Sequence, residues 1–116
     1  SAIEERFHGY VVPATINEDG WWDPSRGQEQ NCSAQGRAIG VAEALWERVA
    51  EDNRIALVAH GGFIDSLLKA LLHLLPSQHL GLPHHNTAIT HLEFTEGRLG
   101  MHYMARTEHL PDELIT

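Results

Sequence analysis

The feature that most constrains this chain is a short apolar run followed at once by a histidine and two glycines. Residues 55–59 read IALVA, and His60, Gly61 and Gly62 come directly after them. An uninterrupted apolar run of this length predicts a strand covered on both faces, as in parallel sheets packed between helices. The glycines let the backbone turn closely into the segment that follows. We therefore expect an α/β fold with this strand inside the sheet.

Two helices are predicted around the apolar run. Apolar residues recur three and four positions apart over residues 33–50 and again over residues 63–75, which predicts a helix in each place. In the second of these helices, Asp65 and Lys69 lie opposite the leucine stripe and four positions apart. We expect them to form an ion pair on a solvated face of that helix.

The C-terminal part of the chain predicts a β-hairpin. Residues 88–95 and 98–105 alternate between polar and apolar side chains, and a short glycine turn separates them. His91 and His102 are then expected to be exposed cross-strand neighbours. Together with the strand at residues 55–59, the hairpin predicts a mixed sheet with an antiparallel edge.

Length, charge and cysteine content limit the function classes. The chain has 116 residues, which suits one domain, and a formal net charge of −8, which argues against nucleic acid or a polybasic membrane anchor as partner. No apolar run approaches the ~20 residues of a membrane-spanning helix. Cys32 is the only cysteine, so an internal disulfide and a cysteine-based zinc site are excluded. We expect a cytoplasmic protein without a metal or other cofactor.

His60 is the leading candidate for chemistry. Ligands of open α/β sheets bind at the carboxyl ends of strands, and the N-terminus of a following helix offers free N–H groups to phosphate. An imidazole at that position can donate hydrogen bonds to phosphoryl oxygens. The alternative is a histidine that ends a strand and merely hydrogen-bonds a loop. A metal site at His79, His84 and His85 is a weaker alternative, because their spacing favours a solvated loop near a pocket mouth.

Four segments of the sequence resemble the histidine phosphatase superfamily, which has the phosphoglycerate mutase-like fold. The most specific are the two on either side of the second predicted helix, and two shorter segments lie towards the ends of the chain. The segments are VAHGGFI at 58–64, NTAITHLEF at 86–94, IEERFHG at 3–9 and RTEHLP at 106–111.

The resemblance implies a partial three-layer α/β/α phosphoglycerate mutase-like fold for residues 1–116, taken as a single domain. It also implies that the loop region at residues 10–30 forms a lid over the substrate pocket and sets the choice of substrate. The substrate would be a small phosphorylated molecule. No nucleic acid, membrane or cofactor is implied as a partner.

The mechanism that the resemblance implies is phosphoryl transfer through a phosphohistidine. His60 matches the second histidine of the family, which holds phosphoryl oxygens, and Gly61 matches the glycine whose backbone N–H lies near the phosphate. Glu5 is the best match to the acid that protonates the leaving oxygen, and Glu4 is the second choice. A carboxylic acid in this role can afterwards activate water as the carboxylate.

Two further residues are implied as substrate-binding groups. Arg6 lies in the acidic segment of the resemblance, and Asn86 begins the strand that follows the histidine-rich loop. Phosphomonoester hydrolysis is the activity that the His-Gly-Gly segment favours. A phosphosugar or phosphoglycerate mutase is one alternative, and a non-catalytic domain that binds an anion for regulation is the other.

The sequence departs from the family pattern in one respect. It contains no Arg-His-Gly, the motif of the nucleophilic histidine, and residues 6–9 read RFHG, which we do not take as that motif. We therefore expect this chain to be the C-terminal part of a longer enzyme and to be inactive alone. Without the nucleophile strand beside it, the strand at residues 55–59 would present an open apolar edge, which predicts a homodimer or a swapped assembly.

Overall fold

The protein is represented by a computed structural model that describes residues 2–14, 16, 25 and 27–115. Residues 15, 17–24 and 26 fall within the predicted lid region 10–30, so about half of that region lies outside the described residues. The elements in chain order are α1 (Ala2–Arg6), α2 (Asn31–Glu47), α3 (Gly61–Leu71), β1 (Ile89–Thr95), β2 (Arg98–Arg106) and a short 3₁₀ helix (Asp112–Leu114).

The core lies between α2 and α3. Ala38 and Ala42 of α2 are buried against Leu67 and Leu71 of α3. The small alanine side chains allow close approach of the two helices, while the leucines supply the apolar area that drives their association. The hairpin covers this pair from one side, and Leu92, Phe94 and Leu99 pack onto the buried cluster.

The predicted hairpin is confirmed. Strands β1 and β2 pair antiparallel, and Gly97 adopts a left-handed conformation (φ 73°) in the turn between them. His91 and His102 are neighbours across the strands, as expected, and their rings stack with centroids 4.5 Å apart. Trp46 of α2 meets the ring of Phe94 edge-on at 5.1 Å, which fixes the hairpin to the helix pair.

The prediction of a buried strand at residues 55–59 is wrong for this structure. The segment belongs to no helix or sheet, and the side chains of Leu57 and Val58 are 54 % and 99 % exposed. A strand forms only when another strand accepts its hydrogen bonds, and none of the described residues runs alongside it as one. In the described part of the chain, only the two strands of the hairpin form from the predicted mixed sheet.

The expectation of a solvated ion pair on α3 is also wrong. The side chain of Lys69 is only 7 % exposed, and its Nζ donates to Asp65 Oδ2 at 2.7 Å and to the Ser77 carbonyl at 2.9 Å. Asp65 Oδ1 accepts the backbone N–H of Leu82 at 2.7 Å. The spacing predicted the pair correctly, but it could not predict that residues 72–82 fold back over it.

Within the residues described, no helix combines the length and the apolar composition that crossing a bilayer demands.

Candidate functional site

His60 is the N-terminal capping residue of α3. Its backbone is extended (φ −73°, ψ 149°), and its carbonyl accepts the N–H groups of Phe63 and Ile64 at 2.9 and 3.0 Å. The imidazole is exposed and makes no capping hydrogen bond. Gly61 and Gly62 therefore begin the helix with N–H groups that meet no backbone acceptor in the described residues. This end of α3 presents a side-chain donor and two backbone donors together.

Gly61 brings a second segment against this helix end. A Cβ atom at this position would lie 3.3 Å from the carbonyl oxygen of His84. A side chain at position 61 would require the loop before β1 to move away by a few tenths of an ångström, so glycine favours this close approach to the first turn of α3. The loop that carries Asn86 is thereby held beside His60, so the structure brings these two predicted site segments into one region.

His84 anchors that loop to the hairpin. Its Nδ1 lies 3.0 Å from the Leu82 carbonyl, and its Nε2 lies 2.6 Å from Thr90 Oγ1. Thr90 Oγ1 also accepts the backbone N–H of Ala105 at 3.0 Å. A carbonyl can only accept, so Nδ1 carries a proton, and in the neutral ring Nε2 then accepts the hydroxyl of Thr90. Our interpretation of His84 as part of a solvated loop is therefore wrong, because the residue is half-buried and both ring nitrogens make hydrogen bonds.

Removal of the Thr90 hydroxyl tests this anchor. Thr90→Val keeps the shape of the side chain but leaves the Ala105 N–H and His84 Nε2 without their partner, so we expect a loss of about 1–2 kcal/mol in the free energy of unfolding, measured in urea. The control is Thr95→Val, whose exposed hydroxyl makes only a 3.4 Å contact to the Arg98 carbonyl. Equal effects of the two substitutions would contradict the anchor.

The turn between the loop and β1 has a strained backbone at Thr87. Its φ is 60°, a left-handed conformation that is unfavourable for a β-branched residue. The turn is closed by a hydrogen bond of 3.0 Å from the Ala88 N–H to the His85 carbonyl. Asn86 is exposed within this turn. Strain of this kind is concentrated at functional sites, and the sequence carries no signal for it.

Glu5 and Arg6 lie on α1, which is a different element from those that carry His60 and the anchored loop. Both side chains are exposed, and the Arg6 guanidinium lies 5.8 Å from the centre of the Phe7 ring. Among the described residues, no hydrogen bond or ion pair joins either of them to His60. The roles assigned to Glu5 and Arg6 stay predictions.

A cation lies on the outer side of the first turn of α3. The Arg37 guanidinium is 4.2 Å from the centre of the Phe63 ring and donates two hydrogen bonds to the Glu29 carboxylate, at 3.2 and 2.8 Å. These hydrogen bonds hold the pKa of Glu29 below its usual value and raise the pKa of Arg37. Glu29 balances the charge of Arg37, and the contact of Arg37 with Phe63 joins α2 to the first turn of α3.

Metal ligation has no support from the geometry. No three His, Cys, Asp or Glu side chains converge as a metal-binding group in the portion of the chain that is described.

Comparison with known proteins places these features in a family. The family model for the histidine phosphatase superfamily (branch 1) matches residues 2–107. Searches of curated proteins and of solved structures gave no match. The matched range covers almost the whole chain and includes α1, His60, the anchored loop and the hairpin. This chain belongs to the histidine phosphatase superfamily.

Proposed function

We propose that the N-terminal end of α3 binds the phosphoryl group of a small phosphorylated substrate, and that the complete enzyme hydrolyses phosphomonoesters through a phosphohistidine. The observation that carries the proposal is the exposed imidazole of His60 beside the free N–H groups of Gly61 and Gly62. Backbone donors at a helix N-terminus and a neighbouring imidazole are the groups that a phosphate monoester needs.

In this proposal the donors act most strongly when negative charge builds on the phosphoryl oxygens during transfer. The N–H groups at the start of α3 are fixed by the helix, so they stabilise that charge without rearranging. His60 holds a second oxygen, and Asn86 reaches the substrate from the anchored loop. Glu5 supplies the proton to the leaving oxygen, and Arg6 binds the substrate beside it.

A phosphohistidine requires a nucleophilic histidine, and the 116 residues contain no Arg-His-Gly. We therefore propose that this polypeptide alone binds phosphate but does not turn substrate over. The same observation favours a second candidate function, in which the domain binds an anion for regulation and catalyses nothing.

Phosphate binding tests the site itself. Inorganic phosphate added to the protein is expected to shift the NMR amide signals of Gly61 and Gly62, and His60→Ala should weaken binding about tenfold or more, because a hydrogen bond to a charged group is lost. His79→Ala is the matched control, since His79 is an exposed histidine on the loop after α3. Signals that do not move, or equal losses in both variants, would refute the phosphate site.

Turnover of a chromogenic phosphomonoester separates the two functions. The 116-residue chain is expected to show no turnover. If the protein is an enzyme, a form that also carries an Arg-His-Gly segment should hydrolyse the ester. Phosphate binding without hydrolysis by that longer form would favour the regulatory domain. Steady hydrolysis by the short chain would contradict its proposed inactivity.

A further inference from the structure

We propose that Asp65 and Lys69 are positioning residues for the phosphoryl site. They act through the anchored loop, residues 82–88, which carries Asn86 and which they hold against α3. The inference rests on the proposed function, in which Asn86 reaches the substrate. Three observations support it, namely the hydrogen bonds that join the pair to the loop, the close approach of the loop to the start of α3 and the burial of the lysine.

A continuous series of hydrogen bonds runs from α3 through the loop to the hairpin. Asp65 Oδ1 accepts the Leu82 N–H at 2.7 Å, and the Leu82 carbonyl accepts the Nδ1–H of His84 at 3.0 Å. The other ring nitrogen of His84 lies 2.6 Å from the Thr90 hydroxyl on β1. The loop is therefore held from both sides, by α3 at its start and by the hairpin at its end.

The loop meets α3 a second time at the phosphoryl site itself. Gly61 is four positions before Asp65, so the two residues lie on the same face of α3, one turn apart. The carbonyl oxygen of His84 lies 3.3 Å from the place that a Cβ atom at position 61 would take. Because Gly61 supplies one of the backbone donors of the proposed site, a displacement of the loop would change the surroundings of that donor as well as the position of Asn86.

Lys69 fixes the carboxylate that holds the loop. Its side chain is 7 % exposed, and its Nζ donates to Asp65 Oδ2 at 2.7 Å and to the Ser77 carbonyl at 2.9 Å. With Oδ2 bound to the ammonium group, Oδ1 is directed towards the Leu82 N–H. A buried ion pair adds little stability compared with apolar side chains of the same volume. A positioning role therefore accounts for these two charges better than stability does.

Two double substitutions separate the hydrogen bond to the loop from the charges. Asp65→Asn with Lys69→Met, the asparagine variant, removes both charges but keeps an oxygen that can accept the Leu82 N–H. Asp65→Leu with Lys69→Met, the leucine variant, removes that acceptor as well. We expect the Leu82 amide hydrogen to exchange with heavy water about tenfold faster or more in the leucine variant, measured by NMR. Equal exchange rates would contradict the role of Asp65, whether or not the site binds phosphate.

Binding of phenyl phosphate, measured by isothermal titration calorimetry, tests whether the position of the loop matters to the site. The leucine variant and Asn86→Ala should each bind about tenfold more weakly than the unmodified protein, because each loses the same hydrogen bond to the substrate. Adding Asn86→Ala to the leucine variant should then cause no further loss, since residues that act through one another are not additive. The asparagine variant should bind as the unmodified protein does.

The outcomes distinguish this inference from the proposed function. Losses that add in the triple variant, or equal binding by the leucine and asparagine variants, would overturn the positioning role and leave the phosphate site intact. An unmodified protein that binds neither inorganic phosphate nor phenyl phosphate would refute the proposed function, and this inference with it. Circular dichroism of each variant checks that α2 and α3 remain folded.

Discussion

Leu71→Ala is expected to lower the free energy of unfolding by about 3 kcal/mol, because it opens a cavity in a core that has little else to hold it. Leu71 is 2 % exposed and packs with Leu67 against Ala38 and Ala42. Each alanine side chain is a single methyl group, so it cannot reach into the gap. The loss is measured by urea unfolding followed by circular dichroism.

The control for this substitution lies on the segment just after α3. Leu75→Ala removes the same atoms from a side chain that is 81 % exposed, so we expect a change below about 0.5 kcal/mol. Variants should be compared at one protein concentration, because association of copies adds to apparent stability by mass action. A loss at Leu71 no larger than that at Leu75 would show that α2 and α3 do not form the core.

Lys69→Met should destabilise the protein by about 3 kcal/mol, although methionine fits the apolar part of the site. The ammonium group is enclosed by Asp65 and the Ser77 carbonyl. Removing it leaves a carboxylate and a carbonyl without their donor in a half-buried position, and an uncompensated charge of this kind costs more than the pair contributed. Urea unfolding gives the magnitude.

Two comparisons separate the burial of this pair from charge alone. Arg48→Met breaks an ion pair with Glu51 in which both side chains are about half exposed, and it should leave the urea midpoint unchanged. The double substitution Asp65→Leu with Lys69→Met removes both charges and should be less destabilising than the two single changes added together. Additive losses would mean that the two side chains act independently.

The hairpin and the two main helices could be predicted because their signals are local. Alternating side chains and Gly97 define β1 and β2, and three- and four-residue spacing defines α2 and α3. The end of α3 could not be predicted so well, since the apolar stripe continues to Leu75. His73 ends the helix in a left-handed conformation (φ 54°), and the Leu74 N–H bonds to the Lys69 carbonyl. Glycine usually occupies that position, so a histidine there does not predict the end of a helix.

Residues 55–59 show the limit of a pattern that depends on distant partners. The apolar run correctly indicates that the segment favours burial, but it does not contain the strand that would bury it. Strand pairing is non-local, so the same five residues are inside a sheet or exposed according to what lies beside them. In this structure no described strand pairs with them, and they are exposed.

The candidate site could also be predicted only in part from the sequence. The position of His60 at the start of α3 follows from the two glycines after it and from the helical spacing of the residues that come next. The anchor through His84 and Thr90 does not, because the Thr90 hydroxyl joins the loop to Ala105, fifteen positions along the chain. The left-handed conformation of Thr87 could not be predicted either, since a β-branched residue favours other conformations.

The enclosure of Lys69 also determines which reagents can modify this protein. It is the only lysine among the 116 residues, and its amine faces Asp65 and Ser77 rather than water. Acylating reagents attack the uncharged, accessible amine, so they can reach this side chain only when the covering residues 72–82 lift away. The rate at which Lys69 becomes acetylated therefore reports how often that cover opens.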